Sequence, residues 1–223
     1  MRARSRQIGL CDAPAATGRS AAALTALLVA LAALLAVPAP PALADGCGGE
    51  HEYAARKRVG PGPPPLAIGD SAMLLALPDL ARAGFTANAR GCRDLREGLA
   101  LLRGRRAAGR LPRIVVIALG ANASIGPGRV SATLRLLGRR RTLVLVTPRE
   151  LGGWAGADAR TVRAFGRRLP RRVRVLDWVA HSRGRTAWFQ PDGLHLTFDG
   201  ARAFARFLSQ ALPRPERPRR PRR

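Results

Sequence analysis

The sequence has few residues of the kinds that hold a metal ion or an organic cofactor. It contains three cysteines and three histidines. Cys47 and Cys92 lack the short spacing of a zinc site, and no glycine-rich dinucleotide fingerprint is present. The sequence therefore implies neither a metal nor an organic cofactor.

Acidic residues and lysine are also scarce. The 223 residues include 14 Asp and Glu against 39 Lys and Arg, and Lys57 is the only lysine. The resulting charge of +25 normally indicates nucleic acid, an acidic polymer or an anionic membrane as partner. Here the arginines are spread along the chain without interleaved aromatic residues, so we expect no nucleic-acid partner. An anionic cell-wall polymer remains a candidate.

The N-terminal segment has the pattern of a secretory signal peptide. Several arginines precede an apolar run over 21–37, and the small residues Ala42-Leu43-Ala44 follow it. We expect cleavage near Ala44 and a secreted or envelope-associated chain. The alternative is an uncleaved anchor, although the run is short for a bilayer span. Contact with a membrane is expected only through such a retained signal.

Composition divides the chain into four segments. The signal peptide covers 1–44 and a Pro/Gly-rich lead-in covers 45–65, which we expect to be irregular. A single domain is predicted over 66–212, and a disordered Pro/Arg tail over 213–223.

Two cysteines remain once the signal is removed. In an exported chain Cys47 and Cys92 suggest one disulfide. Two free buried thiols are the alternative.

Short apolar runs alternate with segments of helical period. Strands are predicted at Leu66–Gly69, Phe85–Ala89, Ile114–Leu119, Leu143–Thr147 and Val173–Asp177, and helices at 72–83, 93–108, 129–139, 158–169 and 198–211. Apolar strands that alternate with helices indicate a parallel sheet covered on both faces. We therefore predict a three-layer α/β/α fold, with a flavodoxin-like sheet of five parallel strands in the order 2-1-3-4-5.

Two polar motifs directly follow predicted strands. Gly69-Asp70-Ser71 places a serine hydroxyl at the carboxyl edge of the sheet, where ligands bind. Gly120-Ala121-Asn122 places an amide at the same edge, where it can donate to an oxyanion. A helix cap at Asp70 or Ser71, and an ordinary turn at Asn122, are the alternatives.

The third motif is Asp192-Gly193-Leu194-His195, between the last strand and the last helix. Its spacing lets the Asp192 carboxylate accept a hydrogen bond from Nδ1 of His195, so that Nε2 faces the serine. His51 lies in the lead-in, and His181 has no nearby carboxylate in register. His195 is therefore the best general base.

Together these motifs resemble the SGNH (GDSL-like) hydrolase superfamily over about Leu66 to Leu212. The resemblance implies that Ser71 is the nucleophile, with His195 as general base and Asp192 as its partner. It also implies an oxyanion hole built from the Ser71 N–H, Asn122 and the glycine of the family's second sequence motif. Gly91 is the best match to that glycine. A disulfide at Cys92 would then brace that loop.

Further stretches resemble the extracytoplasmic SGNH domains of bacterial envelope acyltransferases: Ile68–Met73, Val146–Arg149, Asp177-Trp178 and Trp188–Thr197. This implies a serine esterase or acyltransferase for short O-acyl esters, acetyl above all, on envelope carbohydrate. Trp154, Trp178 and Trp188 could stack on a sugar or pack in the core. The rival interpretation is a non-catalytic basic module that binds anionic cell-wall polymers.

Overall fold

The computed structural model describes residues 47–151 and 156–213. The predicted signal peptide, the predicted tail beyond Pro213 and Trp154 lie outside the described residues. None of the helices in the described ranges is long and apolar enough to cross a membrane.

The described residues form a mixed sheet of six strands flanked by helices. The strands are β1 Glu50–Tyr53, β2 Leu66–Gly69, β3 Thr86–Arg90, β4 Ile114–Ala118, β5 Thr142–Val146 and β6 Val173–Leu176. Their order across the sheet is β1-β3-β2-β4-β5-β6, with β2 to β6 parallel and β1 antiparallel to β3. The α/β class is therefore confirmed, and β2 to β6 have the predicted relative order.

The prediction of five strands and an irregular lead-in was wrong at β1. Glu50 pairs with Arg90 and Tyr53 with Ala87, which adds an antiparallel edge strand. All four β1 residues are exposed, so the strand has none of the apolar pattern from which strands are predicted.

Side chains of distant residues hold this edge strand. The Arg93 guanidinium is only 2% exposed and donates to Glu50 Oε2 at 2.8 Å. Asn88 donates to both Glu50 and Glu52, at 2.9 and 2.8 Å. A disulfide joins Cys47, just before β1, to Cys92, just after β3.

The helices lie close to their predicted positions. They are α1 Leu77–Ala83, α2 Leu95–Ala107, α3 Pro127–Leu137, α4 Ala157–Arg168, α5 Trp178–His181 and α6 Phe198–Leu208. The helix predicted over 72–83 begins as a 3-10 turn at Ser71–Ala76 and continues as α1; the short α5 was not predicted. Thr197 caps α6, and its hydroxyl oxygen accepts from the Gly200 N–H at 3.2 Å.

Two apolar layers cover the sheet. On one face Ala67 and Val116 pack with α1 and α6, and on the other Ile68 and Val115 pack with residues of α2, α3 and α4. Because the parallel strands are buried on both faces, they appear in the sequence as continuous apolar runs. The carboxyl ends of β2, β3 and β4 meet at one edge, and the polar motifs follow them there.

Candidate active site

The end of β2 places Ser71 at the carboxyl edge of the sheet. Asp70 is the N-cap of the 3-10 turn, and its Oδ1 accepts from the Ala72 N–H at 3.1 Å. A Cβ on Gly69 would overlap the side chain of Met73, so the tight packing under the turn requires glycine. Because Asp70 provides the cap, the Ser71 hydroxyl is available for another partner.

That partner is His195. Its Nε2 lies 3.0 Å from Ser71 Oγ, and its Nδ1 lies 2.6 Å from Asp192 Oδ2. The other carboxylate oxygen of Asp192 accepts from the backbone N–H groups of Leu194 and His195, at 2.9 and 3.0 Å. The structure thus brings the three predicted residues into one hydrogen-bonded chain.

Hydrogen bonds keep the Asp192 carboxylate ionised. The hydrogen bond from His195, followed by that from the Leu194 N–H, lowers the pKa of Asp192 to about 2. Asp192 is therefore ionised at neutral pH and accepts from Nδ1. This hydrogen bond selects the tautomer of the neutral imidazole in which Nδ1 carries the proton and the Nε2 lone pair faces the serine hydroxyl.

A residue that follows β5 holds the loop that carries Asp192 and His195. Arg149, just beyond β5, donates from Nε to the Gly193 carbonyl at 2.8 Å. Its guanidinium also lies 3.9 Å above the ring of Phe189. Gly193 has a φ of +69°, a conformation that glycine adopts without strain.

Asp70 also connects two loops of the site. Its Oδ2 accepts from the Ala121 N–H at 3.3 Å, which ties the serine turn to the loop after β4. The carboxyl is 1% exposed, and this burial raises its pKa to about 6 against the ordinary 3.8.

The two remaining predicted residues lie beyond the ends of β3 and β4, the strands on either side of β2. Asn122 is exposed after β4, and its amide nitrogen lies 3.5 Å from the Arg93 carbonyl, to which it donates. Gly91 is buried directly after β3, where a Cβ would overlap the Cys47 carbonyl. Gly91 therefore has a packing reason to be glycine besides the predicted role.

A groove of about 450 Å³ opens beside Ser71 and His195. His51 and Tyr53 of β1 line it together with Leu74, Leu75, Leu77, Gln190 and Leu196. Assigning His51 to an irregular segment was therefore wrong, because it lies in β1 and lines the groove that Ser71 also lines. The sequence gives no signal for His51, since β1 lacks the apolar pattern of a predictable strand.

The described tryptophans pack rather than line this groove. Trp178 is 4% exposed and meets Phe204 edge to face at 5.0 Å. Trp188 stacks on Trp178 at 5.6 Å. His181 is an exposed histidine outside the site and stacks on Phe207 at 4.3 Å.

Sequence reasoning missed Arg93 and Arg149 as supporting residues. Nothing in the sequence distinguishes Arg93 from the other arginines, whereas Arg149 ends the Val146–Arg149 stretch that resembles the envelope domains but was given no role there. Among residues 47–151 and 156–213, no cluster of three or more His, Cys, Asp or Glu could hold a metal ion.

Known proteins with a similar sequence or fold were found in two comparisons. The chain is 30% identical over 149 residues to peptidoglycan O-acetyltransferase OatA of Listeria monocytogenes, a match that covers 66% of this chain and 24% of that protein. It thus spans about a quarter of the relative's length. No protein-family model matches the chain.

The fold is similar to a solved structure, the C-terminal catalytic domain of OatA from Streptococcus pneumoniae with a methylsulfonyl adduct. The TM-score is 0.60 at 24% identity, and the match covers 68% of this chain and 93% of that one.

The fold and the motif order define an α/β domain of the SGNH type. More particularly, the chain is homologous to the SGNH-type catalytic domain of peptidoglycan O-acetyltransferases, which confirms the resemblance to envelope acyltransferase domains.

Proposed function

We propose that this chain transfers a short acyl group, acetyl above all, to or from hydroxyls of peptidoglycan, with Ser71 as nucleophile. The observation that carries the proposal is the hydrogen-bonded chain from Ser71 Oγ through His195 to Asp192. The homology to peptidoglycan O-acetyltransferases supports both the reaction class and the carbohydrate substrate.

The first step forms an acyl-enzyme. Ser71 Oγ attacks the ester carbonyl while His195 Nε2 takes the hydroxyl proton, and Asp192 stabilises the imidazolium. When the tetrahedral intermediate collapses, the bond to the donor oxygen breaks and His195 returns the proton to that oxygen. An acyl ester on Ser71 and a free donor alcohol result.

The second step reverses these roles. A hydroxyl of the acceptor gives its proton to His195 and attacks the acyl carbon, after which Ser71 Oγ leaves and regains the proton. A glycan hydroxyl as acceptor gives transfer, and water gives hydrolysis. Both outcomes use the same residues.

The negative charge on the carbonyl oxygen needs hydrogen-bond donors. We assign this role to the N–H groups of Ser71 and Gly91 and to the amide of Asn122, all at the carboxyl edge of the sheet. Asn122 has a second N–H besides the one that faces the Arg93 carbonyl. Losing one such donor costs about 10²- to 10³-fold in kcat in other serine enzymes.

The test is covalent labelling combined with turnover. A fluorophosphonate should label the chain at Ser71, and 4-nitrophenyl acetate should be hydrolysed. Ser71→Ala should abolish both, whereas Ser131→Ala, on α3 away from the site, should retain both. Turnover that survives Ser71→Ala would refute the proposal and favour the rival, a basic module that binds wall polymers.

We further propose that the chain acts outside the cytoplasmic membrane after cleavage near Ala44. The signal-like sequence, the Cys47–Cys92 disulfide and the envelope relatives support this location. N-terminal sequencing of the exported protein should begin at Asp45. A start at Met1 in a membrane fraction would show that the signal is retained.

A further inference from the structure

The edge strand β1 presents two different faces. Because side chains alternate along a strand, Glu50 and Glu52 share one face, and His51 and Tyr53 share the other. The glutamates contact Arg93, Asn88 and Arg105. His51 and Tyr53 therefore face the groove that contains Ser71.

This orientation is firmly held. Glu50 binds a guanidinium that is only 2% exposed, and the Cys47–Cys92 disulfide anchors the chain just before the strand. A one-residue slip would exchange the two faces and would leave the Arg93 charge buried without its carboxylate. His51 and Tyr53 are thus a fixed wall of the groove.

The lining of the groove is amphipathic. Tyr53 is 38% exposed, and it stands among the leucines Leu74 and Leu75. His51 and Gln190 add hydrogen-bonding groups. A sugar ring has a complementary surface, with C–H groups that pack on an aromatic face and hydroxyls that need polar partners. The volume of about 450 Å³ lies in the range of small-molecule sites.

We propose that His51 and Tyr53 bind the glycan whose hydroxyl exchanges the acyl group at Ser71, with the Tyr53 ring packed on a sugar face. This inference rests on the proposed function, since it places the acceptor beside the acyl-serine. Tyr53 and His51 would then determine which carbohydrate is accepted without entering the chemistry.

The test is calorimetric titration of the chain with chitotriose, a soluble β-linked amino-sugar glycan. Saturable binding is expected, and Tyr53→Ala should raise Kd about tenfold, whereas Tyr53→Phe should change Kd about twofold at most. His51→Ala should raise Kd about fivefold. Phe198→Ala and His181→Ala are the matched controls and should leave Kd unchanged, since both remove an exposed ring outside the groove.

Bound chitotriose should also slow fluorophosphonate labelling of Ser71, which locates the glycan in this groove. Absence of saturable binding, or equal Kd values for the wild type, Tyr53→Ala and His51→Ala, would overturn the inference. If Tyr53→Ala unfolds, His51→Ala carries the test, and Tyr53→Phe serves as the control that keeps the aromatic ring. Labelling of Ser71 without glycan tests the proposed function separately, so the two failures are distinguishable.

Discussion

Replacing Asp70 by asparagine should change how the stability of the domain depends on pH. The Asp70 carboxyl is 1% exposed and accepts hydrogen bonds from the N–H groups of Ala72 and Ala121. Burial raises its pKa from 3.8 to about 6. The carboxyl therefore binds its proton more tightly in the folded chain than in the unfolded one.

The sign and size of the effect follow from this difference. Well below pH 3.8 Asp70 is protonated in both states, and well above pH 6 it is ionised in both, at the cost of a buried charge. A shift of about two units corresponds to roughly 3 kcal/mol. The stabilising contribution of Asp70 is thus greatest at low pH, and it is lost as the pH rises from about 4 through 6.

Asparagine keeps the shape but does not titrate, so the two proteins can be compared directly. We expect the wild-type free energy of unfolding, minus that of Asp70→Asn, to fall by roughly 2.5 kcal/mol between pH 4 and pH 7. Any hydrogen bond lost in the variant adds an offset that does not depend on pH. The measurement is urea unfolding at a series of pH values.

The charge of His195 also acts on Asp70, so the comparison should be repeated in a His195→Gln background. The fall should persist there, because burial is its main cause. A difference that stays constant from pH 4 to pH 7 would refute the reasoning and would mean that water reaches the carboxyl.

The remaining predictions concern the supports of the site. Asp192→Asn should lower kcat/KM for 4-nitrophenyl acetate by about 10²- to 10⁴-fold with unchanged circular dichroism, since the Nδ1 proton loses its carboxylate; full activity would argue against the triad. Arg149→Met should lower kcat because Gly193 loses its partner, and the loss expressed as an activation free energy should exceed the loss in the free energy of unfolding. Equal losses in the two free energies would indicate a purely structural role. Replacing Cys47 and Cys92 by serine should reduce the free energy of unfolding by roughly 4 kcal/mol in denaturant titrations; no change would show that the disulfide is absent.

The parallel part of the fold could be predicted because its strands are buried on both faces. Runs such as Ile114–Ala118 and Thr142–Val146 need no partner information to be recognised as strands. Their alternation with helices then determines the layer arrangement. The predicted limits of the five parallel strands agree with the structure to within about one residue.

The edge strand β1 could not be predicted in this way. Its stability depends on pairing with β3 and on side chains such as Arg93, which lies 43 positions from Glu50. Such pairings leave no periodic pattern along the chain. Sequence reasoning therefore found Ser71 and His195 and missed the wall beside them.

The site also shows why the sequence does not identify the two arginines that support it. Arg93 and Arg149 each support a loop through a backbone carbonyl or a carboxylate of a distant residue, and both resemble the many arginines of this basic chain. Ser71, His195 and Asp192 therefore owe their distances to contacts between loops as much as to the sheet. Because Arg149 is only partly buried, substitutions there should reduce activity well before they reduce stability, whereas loss of the 2% exposed Arg93 should reduce both.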